Sequence, residues 1–159
     1  MKRTAFLVLS LLAIYSTCTN AQIAAGYYSD GNMISLSTNP AASKMYEIRV
    51  STTSFKQAGW NYNQNGVVQG YFFIDLLQNE PFRLYGGLGI GAPLLADLNW
   101  EDQWVSLNIP LGIRCNPFTR FPDLYILGEY LPMITLTEGK DVINTVSFGF
   151  KIKFGIKKD

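Results

Sequence analysis

Val146-Ser147-Phe148-Gly149-Phe150-Lys151-Ile152-Lys153-Phe154 alternates without a break: the even positions are all apolar and the odd ones small or cationic. Successive side chains of a strand point to opposite faces, so this stretch reads as a β-strand with one apolar and one polar face. The same rhythm recurs upstream. Val105, Leu107, Ile109, Leu111 and Ile113 alternate with Ser106, Asn108, Pro110, Gly112 and Arg114. Tyr46, Ile48 and Val50 are set against Glu47, Arg49 and Ser51. Phe82, Leu84, Gly86, Leu88 and Ile90 oppose Arg83, Tyr85, Gly87, Gly89 and Gly91. No segment carries a sustained helical period with caps. Such segments are expected at 22–29, 32–38, 43–55, 66–77, 81–92, 103–115, 122–134 and 143–155, the second, fourth and seventh being less clean. Turn chemistry separates them at Asp30-Gly31, Asn39-Pro40, Gln78-Asn79-Glu80-Pro81, Asn116-Pro117 and Glu138-Gly139. An even number of strands suits an all-β, closed, antiparallel up-and-down barrel with both ends on one side.

The rest of the composition excludes more than it assigns. The 159 residues contain no histidine, which removes Ser-His-Asp triads, Cys-His dyads and HExxH zinc sites. Lys+Arg number 13 against 12 Asp+Glu, so there is no basic excess to hold nucleic acid. Cys18 and Cys115 are too few for a disulfide framework. No cofactor or metal is expected, and the chain does not read as an enzyme.

The first 21 residues read as a secretory signal peptide. Met1-Lys2-Arg3 is a positive start, Ala5 to Tyr15 is an apolar stretch too short to span, and Thr19-Asn20-Ala21 offers small residues before Gln22. The competing use of Cys18 as an acylated residue lacks the expected pattern in Tyr15-Ser16-Thr17. Cleavage after Ala21 leaves one domain, 22–159. Losing Lys2 and Arg3 takes the formal charge from +1 to −1. Cys115 is then a lone thiol, read as a small packing residue.

Which face points inward decides the surroundings. In a water-soluble barrel the apolar face is inside; in a membrane barrel the order inverts. Three features favour inversion. The non-apolar face is rich in small residues, as a narrow lumen requires. Its charges are of both signs, and Glu47, Arg49, Asp75, Arg83, Arg114, Glu129, Lys151 and Lys153 form a candidate luminal ion-pair network. Aromatics gather near strand ends: Phe55, Trp60, Trp100 and Trp104 at the expected outer rim, and Tyr46, Phe82, Phe118, Phe121 and Phe154 at the inner rim. The expected outer loops 56–65, 93–102 and 135–142 also run longer than the inner turns 39–42 and 78–80.

With these residues in view, the chain resembles the small eight-stranded outer-membrane β-barrel proteins of Gram-negative bacteria. Asn20-Ala21-Gln22, the strand Tyr85-Gly86-Gly87-Leu88-Gly89-Ile90-Gly91 and the final Val146 to Phe154 strand carry the resemblance. It implies a transmembrane β-barrel in the cell outer membrane, in contact with outer-membrane lipids and inserted by the outer-membrane assembly machinery. That machinery typically reads a terminal aromatic, here Phe154, although Gly155 to Asp159 follow it. The expected role is structural or surface-interacting, as a monomer with a filled lumen and not an open porin. Contacts with any extracellular ligand would fall to Trp60, Tyr62, Trp100 and Trp104.

Other motifs lead nowhere firmer. Gly87-x-Gly89-x-Gly91 lacks GxGxxG spacing and a following helix. Asp97, Glu101 and Asp102 lack EF-hand spacing. Asp75 and Glu129 read as partners of arginines rather than a catalytic pair. The alternative to the membrane barrel is a secreted or periplasmic lipocalin-like barrel, with Phe148, Phe150 and Ile152 around a small apolar ligand.

Overall fold

A computed structural model describes residues 22–51, 56–57, 60–61, 66–93, 105–136 and 142–155. Eight strands run up and down in chain order: β1 (Ile23–Tyr28), β2 (Met33–Thr38), β3 (Lys44–Ser51), β4 (Val67–Asn79), β5 (Phe82–Pro93), β6 (Ser106–Asn108 and Leu111–Cys115), β7 (Leu124–Thr135) and β8 (Val142–Phe154). Each pairs antiparallel with the next, and β8 returns to pair with β1, Ile23 facing Phe154. Every strand therefore has two neighbours and the sheet has no edge. A short ribbon, Lys56–Gln57 with Trp60–Asn61, lies between β3 and β4 in the chain.

The register sets the shape. Crossing the strands from Ala24, successive partners are Ser37, Glu47, Tyr71, Gly89, Asn108, Met133 and Ile143. Ile143 lies six residues before Gly149, the partner of Tyr28, so one circuit ends ten residues from its start. Ten residues are about 33 Å of strand, and eight strands make a perimeter of about 38 Å, so the strands tilt by about 41°. That lies within the ordinary range for closed barrels.

The end holding Ile23 and Phe154, called here the terminal end, carries the connections 39–43, 80–81 and 116–123. The opposite end carries the turn 29–32 and the ends of β3, β4, β5, β6, β7 and β8 away from Ile23 and Phe154. At the tight turn between β1 and β2, Gly31 and Asn32 both adopt positive φ, 65° and 49°, a conformation glycine and asparagine reach at least cost.

The apolar rows face outward. Ile34, Ile90, Val146 and Phe148 are each more than 60% exposed, and Ile48, Leu88, Leu111 and Ile113 are exposed with them. Phe150 and Ile152 are exposed too. Tyr46, Phe82, Phe118, Phe121 and Phe154 are all exposed at or near the terminal end. Phe55 and the side chains of Trp60, Trp100 and Trp104 lie outside the described residues, as do Tyr62 and Asp97, Glu101 and Asp102.

The polar rows face inward, but they do not fill the barrel alone. Met45, Tyr71, Phe73, Tyr85, Leu127, Leu131 and Met133 form an apolar cluster inside it, with Ile143 packed against it. Inward aromatics lie over inward glycines on neighbouring strands. A Cβ on Gly112 would come within 2.5 Å of the Tyr85 ring and hydroxyl, and one on Gly89 would overlap the Tyr71 ring. Outward Gly70, by contrast, has nothing within 4 Å. The glycine-rich strand is thus the volume complement of Tyr71 and Phe73 on β4, as Gly112 is of Tyr85.

The strand expected at 103–115 is divided at Ile109-Pro110. The Gly87 N–H donates to the Pro110 carbonyl at 2.9 Å, and the Ile109 N–H to the Pro132 carbonyl at 3.0 Å. Neither proline has an N–H to return the bond, so both seams of β6 lose a rung at this step. A bulge also interrupts β4 between Asp75 and Leu77, leaving Leu76 and Leu77 both exposed.

The contrast between inward and outward glycines is measurable. Gly89→Ala should destabilise the folded barrel by about 1–3 kcal/mol through overpacking. Gly70→Ala should stay within about 0.5 kcal/mol. Urea unfolding of the purified variants, followed by tryptophan fluorescence, reads the difference.

Candidate functional site: the ion-paired interior

Arg49 on β3 and Glu129 on β7 belong to strands four places apart in a ring of eight, so they meet across its full width. Arg49 Nη1 lies 2.5 Å from Glu129 Oε1, and Nη2 donates to Oε2 at 2.8 Å, a parallel fork. The Tyr85 hydroxyl donates to Glu129 Oε2 at 3.0 Å, and Arg49 Nη2 also donates to the Tyr28 hydroxyl at 3.0 Å. Two rings bracket the guanidinium: its carbon sits 3.9 Å from the Tyr28 centroid and 4.4 Å from that of Tyr71.

A second carboxylate completes this layer. Glu47 Oε1 lies 3.3 Å from Arg49 Nε, and Lys151 on β8 donates to Glu47 Oε2 at 2.8 Å. Glu47, Arg49, Glu129 and Lys151 are each at most 2% exposed, and their charges sum to zero. Buried charge persists only when paired and hydrogen-bonded, and each member here meets an opposite charge.

Nearer the terminal end lies a separate cluster. Asp75 continues the inward row of Tyr71 and Phe73 just before the bulge on β4, and it is bonded by Arg114 and, at 3.3 Å, by Arg83. Both arginines also hold the β2–β3 turn. Arg83 donates to the Ala41 carbonyl at 2.5 Å and Arg114 to the Ala42 carbonyl at 3.1 Å, and the Asp75 N–H donates to the Ser43 carbonyl at 2.9 Å. Pro40, in the same turn, is fully buried.

The eight charges read from the sequence therefore divide into two clusters and an outlier. Glu47, Arg49, Glu129 and Lys151 come together, as do Asp75, Arg83 and Arg114. Lys153 departs from the luminal set: it pairs with Asp123 at 3.0 Å at the rim, where the aspartate side chain is half-exposed. Arg114 and Lys151 are not what neutralises Glu129; Arg49, from the opposite wall, does so. Asp75 and Glu129 each belong to different arginines rather than to one another.

Sequence reasoning overlooked Tyr28 and Tyr71; it set Tyr85 on the polar row and a turn at Asn39-Pro40, but gave neither a part in the charged interior. The tyrosines had a signal. Each stands at inward parity on a strand whose neighbour offers an inward glycine, as Tyr28 does beside Gly149. Among the described residues, no group of three or more His, Cys, Asp or Glu side chains is arranged to hold a metal ion.

The sequence matches no protein-family model, no curated protein and no solved structure. What fold and interior define is a class: a closed eight-stranded antiparallel barrel, apolar outside and ion-paired within.

Removing one partner of the cross-barrel pair should cost far more than removing both. Glu129→Ala should lower stability by about 3–5 kcal/mol, because it strands a buried guanidinium. The double variant Arg49→Met, Glu129→Leu should recover most of that loss. A double-mutant cycle in urea measures the coupling.

Proposed function

We propose that the chain is an integral outer-membrane β-barrel protein with a structural or surface-interaction role. The observation that carries this reading is the inversion of faces. An all-round band of exposed Ile, Leu, Val and Phe covers a wall whose interior holds buried Glu47, Arg49, Glu129 and Lys151. Such a band in water would far exceed the apolar patch an ordinary soluble monomer exposes, whereas hydrocarbon suits it. The closed ring supports the same reading, since every strand's backbone groups face a neighbouring strand rather than lipid.

Several smaller features agree. Exposed aromatics gather near the terminal end, as interfacial girdles do. Tyr130 and Tyr27, outward-facing toward the opposite end, donate to Asn144 and Asn32 at 2.7 Å, so their hydroxyls are satisfied where an interface would lie. The lipocalin-like alternative needs Phe148, Phe150 and Ile152 around an internal cavity, and all three are exposed on the outer face. The packed interior favours a scaffold over a pore: the Arg49–Glu129 pair crosses it, with the Tyr28 and Tyr71 rings against the guanidinium. Insertion by the outer-membrane assembly machinery, cleavage of residues 1–21, monomeric state and absence of enzymatic activity belong to the same proposal.

Fractionation tests it directly. The protein should sediment with the outer membrane, resist extraction by carbonate and show heat-modifiable gel mobility. Recovery in the soluble periplasm without detergent would sink the proposal. Phe150→Arg, a charge set into the lipid-facing band, should cost about 2–4 kcal/mol and reduce the heat-modifiable form. Phe150→Leu should leave it near wild-type. Reconstituted in planar bilayers, the protein should show no porin-sized steady conductance.

A further inference from the structure

The terminal end holds one feature that neither the fold nor the proposed role requires. A cleft of about 400 Å³ opens there, within the range of small-molecule sites. Arg83, Arg114, Phe118, Thr119, Pro122 and Tyr125 are among the residues that line it. Two arginines therefore line one concavity, and Pro81, Phe118, Pro122 and Tyr125 give part of its remaining wall an apolar surface.

The charge arithmetic in this cluster differs from that of the layer around Arg49. Arg83 and Arg114 share a single buried carboxylate, Asp75, so the three side chains carry a net charge of +1. Arg114 is 1% exposed, yet its Nε has no hydrogen-bond partner. A buried donor on a charged group that lacks an acceptor is costly, so this cluster holds more positive charge than its own acceptors satisfy. Arg83 is the more accessible of the two, its side chain 20% exposed. Glu80 also lines the cleft, but it stands exposed at the turn, where water screens its charge.

We infer that this cleft is a binding site for a phosphate or carboxylate anion carrying an apolar flank. Arg83 meets the anion as the accessible guanidinium, Arg114 beside it adds the second positive charge, and Phe118 and Tyr125 pack the flank. A phospholipid of the adjoining leaflet and a soluble amphiphilic phosphate present this same chemistry. The lipid source rests on the membrane reading proposed above; the anion site itself does not.

The test uses the intact barrel purified in detergent, with phenyl phosphate as the soluble probe and bicelles of phosphatidylglycerol or phosphatidylcholine as the lipid ones. Phenyl phosphate should bind saturably, and Arg83→Gln should weaken it roughly tenfold or more, the loss expected for one charge-assisted contact. Glu80→Gln, at an exposed position where water already screens the charge, should tighten it only slightly, by about twofold or less. Heat-modifiable mobility verifies that each variant is folded. Preferential retention of phosphatidylglycerol by the wild type over Arg83→Gln identifies lipid as the source. Binding of phenyl phosphate without that preference identifies a soluble anion and leaves the site standing. Absence of saturable binding, or binding indifferent to Arg83→Gln, overturns the inference. A chain that binds phenyl phosphate yet fractionates away from membranes overturns the membrane reading alone.

Discussion

Arg49 and Glu129 join opposite walls of the barrel, and much else in the interior follows from that one bond. A buried guanidinium and carboxylate keep their charges only if dehydration is offset by close pairing and by bonds to their remaining donors and lone pairs. The offset comes from six strands at once. β3 and β7 supply the pair, β1 and β5 supply Tyr28 and Tyr85, β4 stacks Tyr71, and β8 brings Lys151 to balance Glu47. A layer assembled from so many strands is complete only when the ring is closed. It therefore ties local side-chain chemistry to global closure.

Volume imposes the second constraint. The inward tyrosines fit only where a neighbouring strand recedes beneath them, and it recedes at glycine. Gly89 beneath Tyr71 and Gly112 beneath Tyr85 are the clearest cases. The apolar cluster of Phe73, Leu127, Leu131 and Met133 fills the space beside the ionic layer. Charge and bulk are thus placed side by side in one narrow interior, the tyrosines touching both.

Much of this was legible from alternation, and the exceptions have physical causes. β3, β5, β6 and β8 announce their faces because one row is apolar and the other small or charged. β4 and β7 read poorly because Tyr71, Phe73, Leu127 and Leu131 put apolar side chains on the inward row as well. The inward position of Glu129 and Arg49 could be read from parity. Their partnership could not, because it depends on which strands stand opposite across a closed ring, a relation with no trace in sequence spacing. The same holds for Arg83 and Arg114, which bond carbonyls of a turn more than 40 residues away along the chain. Pro110 was visible in its strand, but the cost of its missing N–H appears only beside Gly87, and the matching gap only where Pro132 meets Ile109.

The circuit of ten residues and the bulge beside Asp75 together have a topological meaning. Side chains alternate with a period of two, so an even circuit returns an inward residue to an inward neighbour at the β8–β1 seam. An odd circuit of regular strands would make the wall one-sided, like a Möbius band, with the charged row emerging on the apolar surface. β4 takes in its extra residue at a bulge, where Leu76 and Leu77 both stay outside. The bulge also lies beyond Ile74, the last β4 residue to pair with β3, so only the β4–β5 seam has to absorb the change. Insertions of a single residue are therefore not equivalent along this wall: where a strand is paired on both sides, one residue must either bulge or turn the surface inside out.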